Sequence, residues 1–525
     1  MIGRALDSSY RRFGAIRVTA GVMIMQITLS IDRKSTTSLQ IQIFDGLREL
    51  ILCGALQPGV PVPSSRALAL ELRISRNTVI IAYERLINEG YLKARPAGHT
   101  YVNDELPHDM QFCKTPLKKV VSEQGYLPFQ PPTVAFQGPE LKVVKRNTSK
   151  IKIDFWATRT NPESFPIKIW RRSVGKVIWR AAAALTEYGD PSGLRQLREA
   201  IAEHLGPARG FRPDPDQIII VHGVQEGLNI IARLFIREGT RVATESPCFQ
   251  GATSVFEIYG AKLDPVPVDE NGILVERLVN TPARLVYLTP SHQFPTGYSL
   301  SLKRRLQMIA WAGEVGAILI EDDYNGDFSH EGSPIMALAG LDKCGSVMYL
   351  GTFSKSLGPG LRIGYLVVPK FLIGRTIAIK RLLDTGNSWL EQAVLADFMQ
   401  SGSYTQHLRR VRQNYRSRRD CLVDSLRRQF GDVHLSGLSG GMHLMWHLPS
   451  SFPNAAVLEH MARARGVAVY SLGSAPVRDY GDGPYSERAL SLGYSSLNER
   501  SISEGIRIVA ETTRSLNVTA CADAV

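Results

Sequence analysis

A lysine placed directly after an apolar strand can hold its amine at the edge of a sheet, and Lys355 has that placement. The run Gly351-Thr352-Phe353-Ser354-Lys355 follows Ser346-Val347-Met348-Tyr349-Leu350, and Arg362 comes seven residues after the lysine. An amine there can form an imine with a carbonyl compound, while the hydroxyls before it and the guanidinium after it hold a phosphate. A Ser-Lys pair alone carries little weight, because exposed lysines are common. Four further clusters at the ends of other segments add to it. Glu321-Asp322-Asp323-Tyr324 follows the apolar Ala317-Ile318-Leu319-Ile320. A carboxylate here can pair with a protonated pyridine nitrogen, and Tyr324 can hydrogen-bond a ring hydroxyl. Gly223-Val224-Gln225-Glu226-Gly227-Leu228 joins a strand to a helix, and its free amides suit a phosphate. Glu245-Ser246-Pro247-Cys248-Phe249 offers an aromatic face for stacking, and Thr289-Pro290-Ser291-His292-Gln293-Phe294-Pro295-Thr296-Gly297 is a proline-bracketed turn suited to lining a pocket. Each cluster by itself has a plainer reading: a solvated acidic run, a strand-to-helix turn, a core phenylalanine.

A second chemistry sits near the N-terminus. Leu39 to Cys53 carries a helical stripe of Ile43, Phe44, Leu47, Ile51 and Leu52. A turn follows, and Pro63-Ser64-Ser65-Arg66 starts a helix bearing Leu68, Leu70 and Leu72. After Arg73-Ile74, Ser75 can cap the next helix, Arg76 to Leu86, which gives way to Gly90-Tyr91-Leu92 and the strand-like Gly98-His99-Thr100-Tyr101-Val102. That order predicts a helix-turn-helix with a β-wing, the alternative being a small helical bundle with solvated charges. Arg76, Asn77 and Thr78 fall in the first turn of the second helix, the end that enters a major groove. Arginine and asparagine make bidentate contacts to guanine and adenine edges, and threonine meets a thymine methyl or a phosphate. Arg66 is placed for backbone phosphate, and Arg95 and His99 for the wing tip. Thr100 and Tyr101 are assigned to packing.

The elements that must position these residues follow from the whole chain. Its 525 residues exceed what one hydrophobic core serves, and 44% apolar with 21% charged residues is an ordinary globular composition. A formal charge of +13 suits a partner with phosphates. Cys53, Cys113, Cys248, Cys344, Cys421 and Cys521 show no CxxC and no metal spacing, so we expect reduced thiols, no metal site and a cytoplasmic protein. No apolar run reaches the roughly 18 residues a membrane span needs. Residues 1–35 read as a disordered leader without a clean signal-peptide core, with Met25 as an alternative start. Residues 36–103 form the DNA-binding domain, and 104–150, holding six prolines from Pro107 to Pro139, form a linker or an ordered arm. Residues 151–515 form the effector domain, whose short apolar strands, Gln217–Val221 and Arg284–Leu288 among them, suit a parallel α/β sheet covered on both faces. No internal repeat is present.

The head resembles the winged helix-turn-helix of GntR-type regulators, through Pro58-Gly59, Pro63 to Arg66, Ser75 to Val79, Ala82-Tyr83, Leu86, Glu89 to Leu92 and Gly98 to Val102. The body, over about 155 to 510, resembles the fold-type I aminotransferases. That resemblance implies pyridoxal phosphate as cofactor, Lys355 as its Schiff-base lysine, Asp322 as ring-nitrogen partner and Tyr324 as ring-hydroxyl ligand. It further implies Arg362, Thr352, Val224 and Gln225 around the phosphate, and Phe249 stacked on the ring. Tyr188, in Tyr188-Gly189-Asp190-Pro191-Ser192-Gly193, matches a tyrosine reaching the phosphate of a neighbouring subunit, which implies a homodimer. Such a head fused to such a body resembles the MocR subfamily. Two positions depart from aminotransferases: Phe294 fills the slot of an asparagine, and Ser491, in Ala489-Leu490-Ser491-Leu492-Gly493-Tyr494, fills that of the arginine clamping a substrate carboxylate. Arg488 lies nearby in sequence. The expectation is therefore a regulator of double-stranded DNA sensing pyridoxal phosphate or an amino compound, and not a turnover enzyme. The rivals are an active aminotransferase with an autoregulatory head, and a degenerate body that only pairs the heads.

Overall fold

The structure, a computed structural model, describes residues 29, 31–33, 35–94, 99–104, 150–330, 336–481, 483 and 485–522. Most of the expected leader with Met25, the wing-tip residues 95–98 including Arg95 and Gly98, and nearly all of the 104–150 linker lie outside the described residues. The chain divides into two compact units, 1–133 and 134–525.

In the first unit, helices Leu39–Leu52, Ser65–Leu72 and Arg76–Asn88 are followed by strands Leu92–Ala94 and Thr100–Val102, paired antiparallel. Ile43, Phe44, Leu47 and Ile51 from the first helix meet Leu68, Val79, Tyr83, Leu86, Tyr91 and Val102 in one core. Ser64 caps the second helix by accepting from the Ala67 amide, as its sequence position predicts. Two expectations need correcting. Leu70 is 82% exposed, because the helical period turns 68, 69 and 72 inward, and buried Ala69 takes the inner place. Ser75 holds the cap position of the third helix, yet its hydroxyl makes no capping bond.

The second unit is built on an eight-stranded sheet in the order Ile218–Val221, Gly364–Val367, Val347–Thr352, Ile318–Asp322, Leu285–Leu288, Arg241–Ser246, Lys262–Asp269 and Gly272–Ile273. The expected parallel sheet holds from Val347–Thr352 to Lys262–Asp269, with two strands reversed. Gly364–Val367 runs antiparallel to both neighbours, and the edge strand Gly272–Ile273 is antiparallel as well. The apolar runs are continuous because both faces are covered. Ile219, Val221, Met348 and Leu350 face the helices Val224–Phe235 and Gln250–Ile258, while Ile218, Ile220 and Tyr349 face the opposite cluster. A four-stranded antiparallel sheet, with His443–His447 and Ala489–Gly493 at its centre, follows the long helix Ser403–Phe430. Ile153–Asp154, at the start of the unit, pairs in parallel with Val467–Ala468.

Candidate functional site

The C-terminal ends of the central strands open into a cavity of about 360 Å³ lined by Trp156, Gly223, Phe249, Tyr287, Phe294 and Lys355 among others. Asp322, Tyr324, Val224, Gln225, Thr352 and Arg362 share this lining, so clusters spread over 140 residues converge on one space. Tyr188 does not: it is 91% exposed and absent from the lining.

Strand alternation sorts the acidic run. Glu321 accepts from the Leu338 and Ala339 amides at 2.9 and 3.0 Å, and Asp323 pairs with Arg209 at 2.6 Å. Only Asp322 turns into the cavity. Its Oδ2 accepts from the Tyr287 hydroxyl at 2.8 Å, and its Oδ1 is buried with no hydrogen-bond partner. The Tyr324 hydroxyl is likewise buried and without one. A buried acceptor and a buried hydroxyl left open toward a cavity are what a pyridine nitrogen and a ring hydroxyl would complete. Burial raises the Asp322 carboxyl to about 7, the Tyr287 bond pulling the other way, so a cationic partner would favour its charged form. Burial likewise lowers the Lys355 amine to about 8 against the opposing pull of Asp322, which brings the neutral nucleophile within reach of neutral pH.

The phosphate end is a helix N-terminus. Gly223 caps Val224–Phe235 with a φ of 83°, and the first amides of that helix lack helical partners. A Cβ on Gly223 would sit 3.3 Å from the Arg362 guanidinium, so glycine lets that cation close over the turn. Arg362 donates to the His222 carbonyl at 2.6 Å, and the Thr352 hydroxyl bonds the Ser354 amide and hydroxyl at 3.1 and 3.0 Å. Sequence reasoning missed what anchors this cradle. Lys380, 0% exposed, donates to Glu226 at 2.9 Å and to Asp384, while the His222 ring lies 3.2 to 3.3 Å from both carboxylates. Those groups hold the Glu226 carboxyl down at about 2 against its burial. The sequence signal present was Asp384 four residues after Lys380, the spacing of an ion pair within one helix. Replacing Lys380 with methionine leaves two carboxylates without their cation and should cost about 3–5 kcal/mol, read as a lower denaturant midpoint; an unchanged midpoint refutes the anchoring role.

The turn at 289–297 is fixed from within. Gln293 donates to the Pro247 and Phe294 carbonyls at 2.7 and 2.8 Å and accepts from Thr296, and the buried Glu245 accepts from the Thr289 amide and hydroxyl at 3.1 and 2.7 Å. This network sets Phe294, whose ring meets Phe249 and Tyr324 edge-on, each at 6.0 Å.

In the first unit, Arg66, Ser75, Arg76, Asn77 and His99 are exposed and Thr78 is half-buried, while Val79 beside them is buried. The Arg76 Nε lies 3.4 Å from the Ser65 hydroxyl, which brings the starts of the second and third helices together. Thr100 and Tyr101 are half-buried.

Residues 39–102 match the family of bacterial regulatory proteins named gntR, and residues 163–480 match the class I and II aminotransferases. MocR of Rhizobium meliloti, a probable rhizopine catabolism regulatory protein, is 33% identical over 483 residues, which span 91% of this chain and 94% of that protein. The chain belongs to the MocR subfamily of GntR-type regulators. YdeL of Bacillus subtilis, an HTH-type transcriptional regulator, is 31% identical over 92% of this chain and 98% of its own length. A Pyrococcus horikoshii kynurenine aminotransferase, solved with pyridoxamine phosphate, superposes at a TM-score of 0.63 with 29% identity, covering 70% of this chain and 92% of that one. No helix among the described residues of this MocR-type chain is long and apolar enough to cross a membrane. Its aminotransferase-like half carries both departures into the fold. Phe294 lines the cavity, and Ser491 is 0% exposed with a hydroxyl lacking any partner. Arg488 points elsewhere, donating to the Phe452 carbonyl at 2.9 Å and to that of Pro449.

Proposed function

We propose that this chain is a sequence-specific transcriptional regulator whose body holds pyridoxal phosphate at Lys355 and reports the cofactor, or an amino compound exchanging with it, to the DNA. The observation that carries this reading is the open Oδ1 of buried Asp322 in the same cavity as Lys355. When bound, pyridoxal phosphate supplies an aldehyde carbon for an amine and a ring that draws electrons toward its nitrogen. Lys355 presents the amine, Asp322 faces the ring nitrogen, Tyr324 serves the ring hydroxyl and Phe249 stacks on the ring. The amides of Val224 and Gln225, the Thr352 hydroxyl and the Arg362 guanidinium hold the phosphate. In the head, Arg76 and Asn77 read base edges, and Arg66, Ser75, Thr78, Arg95 and His99 position the backbone.

We assign residues 36–103 to the head, 104–150 to the linker and 151–515 to the body, in a cytoplasmic homodimer. Tyr188, 91% exposed, is free to reach a second copy, the role its motif implies. Phe294 and Ser491 disfavour turnover of ordinary amino acids. Coupling requires the effector to bind two arrangements of the dimer with different affinity. The test is binding to the chain's own upstream DNA with and without pyridoxal phosphate. At least a fivefold change in affinity is expected, and equal affinity with cofactor bound to the protein sinks the sensing role.

A further inference from the structure

We infer that the effector of this pocket is a primary amine carrying an apolar or aromatic tail and no α-carboxylate. The inference rests on the functional reading above. Three charged side chains line the cavity, and two are committed: Asp322 faces Tyr287, and Lys355 is the amine-bearing group. The third, Arg362, is bound at 2.6 Å to the His222 carbonyl beside the phosphate turn. Among the described residues, arginines on the segments flanking the walls already have partners. Arg159 pairs with Asp154 at 2.6 Å, Arg209 with Asp323 at 2.6 Å, and Arg478 with Glu257 at 2.9 Å. Arg305 donates to the Pro290 and Leu300 carbonyls at 2.6 and 2.8 Å, and Arg488 to those of Pro449 and Phe452. A carboxylate entering this space would shed its water without gaining a free arginine to pair with.

The walls suit a different tail. Trp156, Phe294, Tyr324, Pro359 and Pro476 present apolar surface around the lysine. Ser491 shares its strand register with Met445 and Tyr470, and the Tyr470 ring packs edge-on against Trp156 at 4.8 Å. The region behind that wall is thus filled by aromatic and thioether groups; the Tyr470 hydroxyl there is committed to Asp154 at 2.8 Å, and the Ser491 hydroxyl is neutral and without a partner. Exchange itself is balanced. The carbon–nitrogen double bond to Lys355 breaks as one forms to the incoming amine, whose two protons end on the Lys355 nitrogen, and no electrons are transferred.

The experiment compares phenethylamine with L-phenylalanine, which differ by the α-carboxylate alone. The full chain is loaded with pyridoxal phosphate, freed of excess, and titrated with each while its visible absorbance is followed. Half-saturation at a concentration at least tenfold lower for phenethylamine is expected. Equal or tighter response to L-phenylalanine overturns the inference, as does no response to either amine. Failure of the wild-type chain to colour on loading, or colour retained by Lys355→Ala, sinks the cofactor reading instead, so the two failures are told apart.

Discussion

Lys355→Ala, incubated with pyridoxal phosphate and desalted, is expected to lose the visible absorbance that the wild-type chain keeps. The loss should be complete, because among the described residues no other lysine lines the cavity. The stability cost should be small: Lys355 is partly accessible from the cavity and makes no hydrogen bond on which packing depends. An absorbance band of unchanged height would rule out imine formation at this residue. The wild-type rate of colouring should also rise with pH. The amine titrates near 8 in the folded chain, below its ordinary value because burial disfavours the charge. The neutral nucleophile therefore grows from a minor to the dominant form between roughly pH 7 and 9, some two units below an exposed lysine. A flat profile would mean that another step limits capture.

Arg76→Ala is expected to weaken binding to the cognate operator by about 10- to 100-fold, the effect of one lost bidentate contact worth ~1–3 kcal/mol. Binding to random DNA should fall far less, and the slope of affinity against salt should change by no more than about one ion. Arg76 is exposed at the start of its helix while Val79, Tyr83 and Leu86 of the same helix fill the core. The substitution should therefore leave the fold and the cofactor colour intact. Equal loss on operator and random DNA would reduce Arg76 to a phosphate contact.

The two halves were legible in the sequence to different depths. Local rules sufficed for the head, where helix caps, a 3.6-residue stripe and a short wing lie within 64 residues matched as one family. Leu70 shows where such rules stop: apolar identity suggested the inner face, and only the helical phase placed Ala69 there instead. In the body, Lys355 and Asp322 could be read because each follows a strand, and sheet geometry brings strand ends together. Tyr287 and Lys380 could not. Asp322 lies 35 residues from Tyr287 and Glu226 lies 154 from Lys380, and although Asp384 stands four residues after Lys380, neither residue carries a local mark of its distant partner. The antiparallel turn of Gly364–Val367 was hidden for the same reason, since direction depends on which neighbour a strand finds.

Those distant pairings also impose an order on synthesis. Every described strand and helix of the head closes on partners between residues 29 and 104. In the body, Ile218–Val221 finds its place in the sheet only through Gly364–Val367, and Ile153–Asp154 waits for Val467–Ala468. At roughly 5–20 residues per second, the ribosome delivers a foldable DNA-reading head well before the chain that closes the body's sheets. For that interval each nascent chain carries the DNA-binding head without the aminotransferase-like body, and any control exercised by the body begins only when the last of these strands has emerged.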